Sequence, residues 1–270
     1  MWSSTDGIYS LTVTILAKAR LLVVVLPIFV AAVVTPVHAE RVEVKKITIT
    51  VSAATSLGKV YTELGKQFEK SNSSIKVRFN FASSTSLVSQ IQSGAPTDVF
   101  AAADLTSFDK LLASGNVVKS PKVFARNSMQ LIVKHGNPLR ISSVADLQKA
   151  SVISLCVKTA PCGVYAATVL SRYGVAIPES KITRGIDAAA TLNAVSTGDA
   201  DAAMVYATDA LLAKKQVTVV PIPVGKNVKA MYGMGVIRGS KNVKQAEAFV
   251  QFVLSPAGQK VLITFGFLAP

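Results

Sequence analysis

Hydrophobic and polar positions follow two rhythms along this chain, and the rhythms replace each other repeatedly. Ile47, Ile49 and Val51 stand between Lys46, Thr48 and Thr50, the two-residue period of a half-buried strand; Leu57, Val60, Tyr61, Leu64 and Phe68 then recur at helical spacing. The unit repeats. Ile75, Val77, Phe79 and Phe81 alternate, Ser83-Ser84-Thr85-Ser86 follow, and Leu87, Val88 and Ile91 take up the helical spacing until Gly94-Ala95-Pro96. Val99-Phe100-Ala101 predicts a short buried strand, Asp104 a helix cap, and Leu105, Phe108, Leu111 and Leu112 a third helix stopped by Gly115-Asn116. Further strands are expected at Met129 to Val133, Val152 to Val157 and Ala202 to Tyr206. Further helices are expected from about Gly163 to Tyr173, from Asp187 or Ala188, and, as one long element, from Lys244 to Leu262. Strands alternating with helices predict an α/β protein with mostly parallel sheets covered on both faces.

The first residues keep neither rhythm. Leu21 to Val34 is a continuous apolar run, shorter than the ~20 residues a spanning helix needs. Lys18 and Arg20 precede it, and Val37-His38-Ala39 closes it with small residues where a signal peptidase reads them. Residues 1–39 therefore read as a secretory signal peptide cleaved near Ala39, with an uncleaved membrane anchor as the alternative. No Cys follows the run until Cys156, so no N-terminal Cys is available for a lipid. The exported remainder is expected to be periplasmic. Of all 270 residues, 50% are hydrophobic and 16% charged, which excludes disorder. Lys and Arg number 29 against 15 Asp and Glu, a formal net charge of +14. The signal segment removes only Lys18, Arg20 and Asp6, so the exported chain stays basic and suits an anionic partner, whether nucleic acid, lipid surface or small anion.

Two His and two Cys leave little for a zinc centre or a His-dependent catalyst. His135, beside Gly136-Asn137-Pro138, reads as a surface turn residue. Cys156 and Cys162 in an oxidising compartment are expected to pair as a disulfide, the alternative being two buried, inert thiols. The informative residues lie where strands give way to helices, since backbone N–H groups are unpaired there and the helix dipole is positive. These turns read Ala53-Ala54-Thr55-Ser56-Leu57, Ala82-Ser83-Ser84-Thr85-Ser86 and Ala160-Pro161-Cys162-Gly163: small, hydroxyl-bearing and neutral. Taken singly each serine is a helix cap; two such turns in one exported chain point to an oxyanion site.

Seven stretches carry a resemblance, in order, through nearly all of the exported chain: Ser52 to Leu57, Phe81 to Leu87, Gln90 to Phe100 (with Gly-Ala-Pro-x-Asp-Val-Phe), Phe124 to Ser128, Pro161 to Ala166, Gly198 to Ala210 (with Val-Tyr-x-Thr-Asp-Ala) and Gly266-Phe267. Together they resemble the periplasmic molybdate-binding proteins of ABC importers. The resemblance implies a two-lobed, type II Venus-flytrap protein, with lobe I formed by residues 40–125 and 230–270 and lobe II by residues 126–229. It implies that a tetrahedral dianion is held in the cleft by neutral donors: Ser56 and Ser84 through hydroxyl and backbone N–H, Cys162 and Ala188 through backbone N–H, and Tyr206 through its phenol. Thr55, Ser83 and Gly163 flank these. Two departures from the family pattern are Cys162, where a small residue is usual in the proline-glycine turn, and Tyr232-Gly233, where many relatives have Tyr-Pro.

The function so implied is capture of molybdate, and tungstate with it, for a membrane-embedded ABC permease. The metal arrives as an oxyanion with no direct metal ligands, no cofactor is called for, and the protein is expected to be a monomer. Tyr165 and Tyr232 carry no motif support and read as core. Asp98, Asp104, Asp201 and Asp209 read as turn, cap and inter-element hydrogen-bond residues, because a carboxylate facing an oxyanion would repel it. Other classes stay open: a sulfate or phosphate binder, or a secreted serine-dependent hydrolase. The hydrolase lacks Gly-x-Ser-x-Gly, a ferric binder would need clustered Tyr, His or carboxylates, and nucleic-acid binding would need aromatic residues among the scattered lysines. The expectation is therefore a binding protein, not an enzyme, that takes no nucleic acid.

Overall fold

β-Branched residues build the first strand, and the short turn Thr55–Leu57 converts it into a helix. In the computed structural model, which describes residues 46–117 and 119–270, this is β1 (Ile47–Ala54) passing through a tight 3-10 turn into α1 (Gly58–Ser71). The expected signal peptide, residues 1–39, lies outside the described residues. The chain continues through β2 (Ile75–Ala82), α2 (Ser84–Gln92), β3 (Val99–Ala102), α3 (Thr106–Ala113), β4 (Lys122–Asn127) and β5 (Met129–Lys134). Next come β6 (Ile153–Cys156), α4 (Pro161–Tyr173), β7 (Ile182–Gly185), α5 (Ala188–Ser196), β8 (Ala202–Tyr206), α6 (Ala207–Leu212) and β9 (Val217–Val220). Then β10 (Ala230–Val236), α7 (Val243–Leu254) and α8 (Pro256–Thr264) close the chain.

Two five-stranded sheets result, in the orders β2-β1-β3-β10-β4 and β7-β6-β8-β5-β9, each the centre of one lobe. Each sheet is mixed. β1 is parallel to β2 and β3, and β6 to β7 and β8, as strand-helix alternation predicts. β10 instead runs antiparallel to β3 and β4, and β5 to β8 and β9. The reason is the route of the chain: β5 and β10 are the strands entered directly from the other lobe, without the crossover helix that keeps neighbours parallel. The outward passage is the single residue Ser128 between β4 and β5. Asn227 ties the two passages together, its side chain accepting from the Met129 N–H at 3.0 Å and donating to the Met129 carbonyl at 2.8 Å.

The helical face read from α1 is the face that packs: Val60, Tyr61, Leu64 and Phe68 are all buried. Tyr61 and Phe68 meet Phe249 of α7 edge-on, at ring separations of 6.0 and 5.3 Å, and such pairs add about 0.5–1.5 kcal/mol each beyond burial. The single C-terminal helix expected over Lys244 to Leu262 is instead two, α7 and α8. Pro256 has no N–H to donate and disfavours helical geometry at Ser255, whose hydroxyl accepts from the Gly258 N–H and so starts α8 afresh. Among the described residues no helix is long and apolar enough to cross a membrane.

Candidate functional site

Four chain turns meet between the sheets. Ser56 sits in the 3-10 turn after β1; Ser84 is the first residue of α2; Cys162 is the second of α4; Ala188 is the first of α5. The early N–H groups of a helix have no partner within it and carry the positive end of the dipole, so α2, α4 and α5 direct unspent donors and partial positive charge at one place. Tyr206 ends β8 and contributes the fifth group.

These residues line a single cavity with Ala54, Thr55, Ser83, Ala103, Pro161 and Asp187, and the centre of a water-sized sphere has only about 10 Å³ to move in. Among the described residues no Lys or Arg is on its wall. Gly163 is not on the wall either: its N–H donates to the Ala160 carbonyl at 2.9 Å, and its missing side chain lets α4 approach the β6 strand end, since a Cβ there would lie 2.2 Å from the Val157 carbonyl oxygen. Ser83 caps α2, its hydroxyl accepting from the Ser86 N–H at 3.1 Å. Across the cleft the Thr85 hydroxyl donates to the Thr159 carbonyl at 2.7 Å, so the lobes touch beside the cavity. A wider, solvent-open groove of about 700 Å³ adjoins it between α1 and α6 and carries Lys59, Glu63, Lys66 and Asp209. The convergent donors are in the small cavity.

The hydroxyls are poised to donate. The Ser84 Oγ accepts from the Ala103 N–H at 3.0 Å, which leaves its own proton free. The Tyr206 Oη is buried with no hydrogen-bond partner among the described residues. Burial foremost, and then the neighbouring Tyr232, Tyr165, Asp104 and Asp209, hold its ionisation well above the ordinary phenol range, so it remains a neutral donor. The Tyr206 ring packs against Tyr165 and Tyr232 at 6.3 and 5.7 Å. Ser56 Oγ lies 3.0 Å from Tyr232 Oη, a residue that the sequence pattern assigns to the core and that nothing in its spacing distinguishes.

Asp98, Asp104 and Asp201 serve local structure as read: Asp98 accepts from the Thr50 N–H at 2.7 Å, Asp104 from the Ser107 N–H at 3.2 Å, and Asp201 from Lys134 at 2.9 Å. Asp187 joins the wall of the cavity, a position its reading as a helix opener did not include; its Oδ1 is held by the Ala190 N–H at 2.9 Å. Asp209 also takes a local role, in the first turn of α6 where the Tyr206 N–H bonds its carboxylate, but among the described residues its Oδ2 is shut off from solvent without a hydrogen-bond partner.

Cys156 and Cys162 are joined by a disulfide, with Cα atoms 5.7 Å apart. It closes the loop that delivers Cys162 to the cavity. Replacing both cysteines by alanine should lower stability by about 2 kcal/mol on the chain-entropy argument. A thermal melt reads this, and the native protein should titrate no free thiol without reductant.

The model of the bacterial extracellular solute-binding protein family matches residues 49–268. This chain belongs to that family. The molybdate-binding protein ModA of Mycobacterium tuberculosis is 34% identical over 224 residues, covering 83% of this chain and 85% of that protein. The fold is shared with the periplasmic molybdate-binding protein of Azotobacter vinelandii, at a TM-score of 0.75 and 21% identity over 82% of this chain and 99% of that one. It is shared equally with the sulfate-binding protein SubI of Mycobacterium tuberculosis, at a TM-score of 0.74 and 17% identity over 82% of this chain and 86% of that one. This solute-binding protein thus combines the two-lobed fold with a cavity whose convergent donors are uncharged and whose wall also includes Asp187.

Proposed function

We propose that this chain is an exported binding protein that captures molybdate, and tungstate with it, and delivers it to the permease of an ABC importer. The observation that carries this reading is the convergence of the Ser56, Ser84 and Tyr206 hydroxyls with the N-termini of α2, α4 and α5 on one cavity without a basic side chain. A dianion entering it exchanges water for several charge-assisted hydrogen bonds, each contributing about 1.5–3 kcal/mol, and for helix dipoles. The identity to ModA supports molybdate over other tetrahedral anions. Neither serine is set up as a nucleophile: Ser56 pairs with Tyr232 and Ser84 with a backbone N–H, while His135 is exposed in its turn. Membership of the solute-binding family supports a role in binding. The excess of lysine and arginine draws anions to the molecule from a distance.

A thermal-shift panel tests the reading, because a ligand that binds only the folded state raises its stability with the logarithm of concentration. Molybdate and tungstate should raise the melting temperature where equal concentrations of sulfate, phosphate and ferric ion do not. Sulfate binding as tightly as molybdate would transfer the assignment to sulfate. In calorimetry, Ser56→Ala, Ser84→Ala and Tyr206→Phe should each weaken molybdate binding by about tenfold to a hundredfold. Unchanged affinity in all three would remove the site.

A further inference from the structure

We propose that Tyr232 is a positioning residue for the anion site: its phenol donates to Ser56 Oγ and thereby turns the Ser56 proton into the cleft. The inference rests on the reading of that cleft as an anion site. Four buried groups form the chain of contacts. Asn127 Nδ2 is 2.9 Å from Thr208 Oγ1 and 3.4 Å from Tyr232 Oη, and Tyr232 Oη is 3.0 Å from Ser56 Oγ. The Asn127 Oδ1 accepts from the Ser128 N–H at 2.9 Å, which fixes the orientation of the amide. Its Nδ2 therefore faces Thr208 and Tyr232, and a carboxamide nitrogen only donates. Tyr232 Oη receives that bond and has one proton of its own. Among these contacts, the acceptor left for that proton is Ser56 Oγ.

A serine that accepts from a phenol keeps its own O–H free, and a donor feeding its oxygen polarises that O–H, so that it donates more strongly in turn. Without the phenol, the Ser56 hydroxyl can rotate toward any nearby acceptor and must be reoriented when the anion arrives. The relay also draws on both lobes. Asn127 ends β4 immediately before the chain crosses, Tyr232 lies on β10, which returns from the crossing, and Thr208 belongs to α6 of the second lobe. The Ser56 donor is thus set by the strands that form the hinge. Tyr232 does not line the cavity and has no contact with the anion in this scheme.

A double-mutant cycle read by calorimetry with sodium molybdate tests the proposal on the full exported chain. Tyr232→Phe keeps the ring that packs on Phe124, Tyr206 and Phe267 and removes only the hydroxyl. It should weaken binding by about tenfold, while in a Ser56→Ala background the same change should alter affinity less than about twofold. A role confined to folding would lower the melting temperature of the ligand-free protein and would act equally in both backgrounds. Equal losses in both backgrounds, or no loss with Ser56 present, overturn the relay. Should Tyr232→Phe not fold, Asn127→Ala, which removes the donor that fixes the phenol, takes its place in the cycle with the same two outcomes. A wild type that binds no molybdate overturns the function and the relay together; wild-type binding with additive losses overturns the relay alone.

Discussion

Gly163→Ala should destabilise the protein by about 3 kcal/mol and weaken molybdate binding at least about tenfold, although residue 163 does not reach the cavity. The added Cβ would lie 2.2 Å from the Val157 carbonyl oxygen, 2.9 Å from its carbon and 3.1 Å from the Cys156 oxygen. All three are backbone atoms, so no side chain can swing aside. The disulfide from Cys162 to Cys156 blocks the simplest relief, a shift of α4 away from the β6 end. What moves instead is the first turn of α4, which carries the Cys162 N–H. The loss should therefore appear both in thermal unfolding of the ligand-free protein and in calorimetric affinity. A variant that melts within 2 °C of wild type, about what 1 kcal/mol moves in a protein of this size, would show that close approach is not what this glycine provides.

The second large effect is a pH dependence seated in Asp209. Burial foremost, and the nearby Asp187, push its carboxyl up to about 7, against the lowering influence of the Tyr206 N–H and Lys59. The residue is only partly enclosed, yet its Oδ2 has neither solvent nor a donor. Its folded pKa lies above its unfolded one, so between pH 4 and 7 the folded state binds the more protons and stability falls as pH rises through that window. It levels off above 7, where both states are ionised. A displacement of about three units corresponds to about 4 kcal/mol between the two ends of the window. Asp209→Asn holds a neutral group at the same place. The stability difference between variant and wild type should therefore shift in the variant's favour by about 4 kcal/mol from pH 4 to pH 8, measured by urea unfolding. A difference that stays constant across that range would mean that Asp209 does not titrate near neutrality. Ionised Asp209 also lies beside the cleft, so molybdate affinity should fall less steeply with rising pH in the variant.

Much of the site was legible before any tertiary structure. Ser56 and Ser84 follow strands whose alternation is unambiguous, and a serine at a strand-to-helix turn has its N–H and hydroxyl at the end of the sheet where ligands bind. Cys162 and Ala188 were found through resemblance to the family and confer no local signal of their own, because a backbone N–H looks the same in any residue. All five proposed ligand residues line one cavity. Gly163, named beside them, turns out to act by being small. Tyr232, noted in the sequence only through the glycine that follows it, is next to Ser56 across 176 positions of chain, a proximity that no local pattern shows.

Local order alone determined the strands and helices that carry short, strong periods, their capping serines, and the neutral chemistry of the turns. The break at Pro256 is equally local in cause, yet the period of Lys244 to Leu262 reads as one helix and the structure divides it into two. Tertiary structure decided the rest: the antiparallel course of β5 and β10, the pairing of Asn127 with Thr208 and Tyr232, and the unpartnered oxygen of Asp209. Such features depend on which distant groups become neighbours when water is excluded. Periodicity records only which side of an element faces inward, and is silent about what it will meet there.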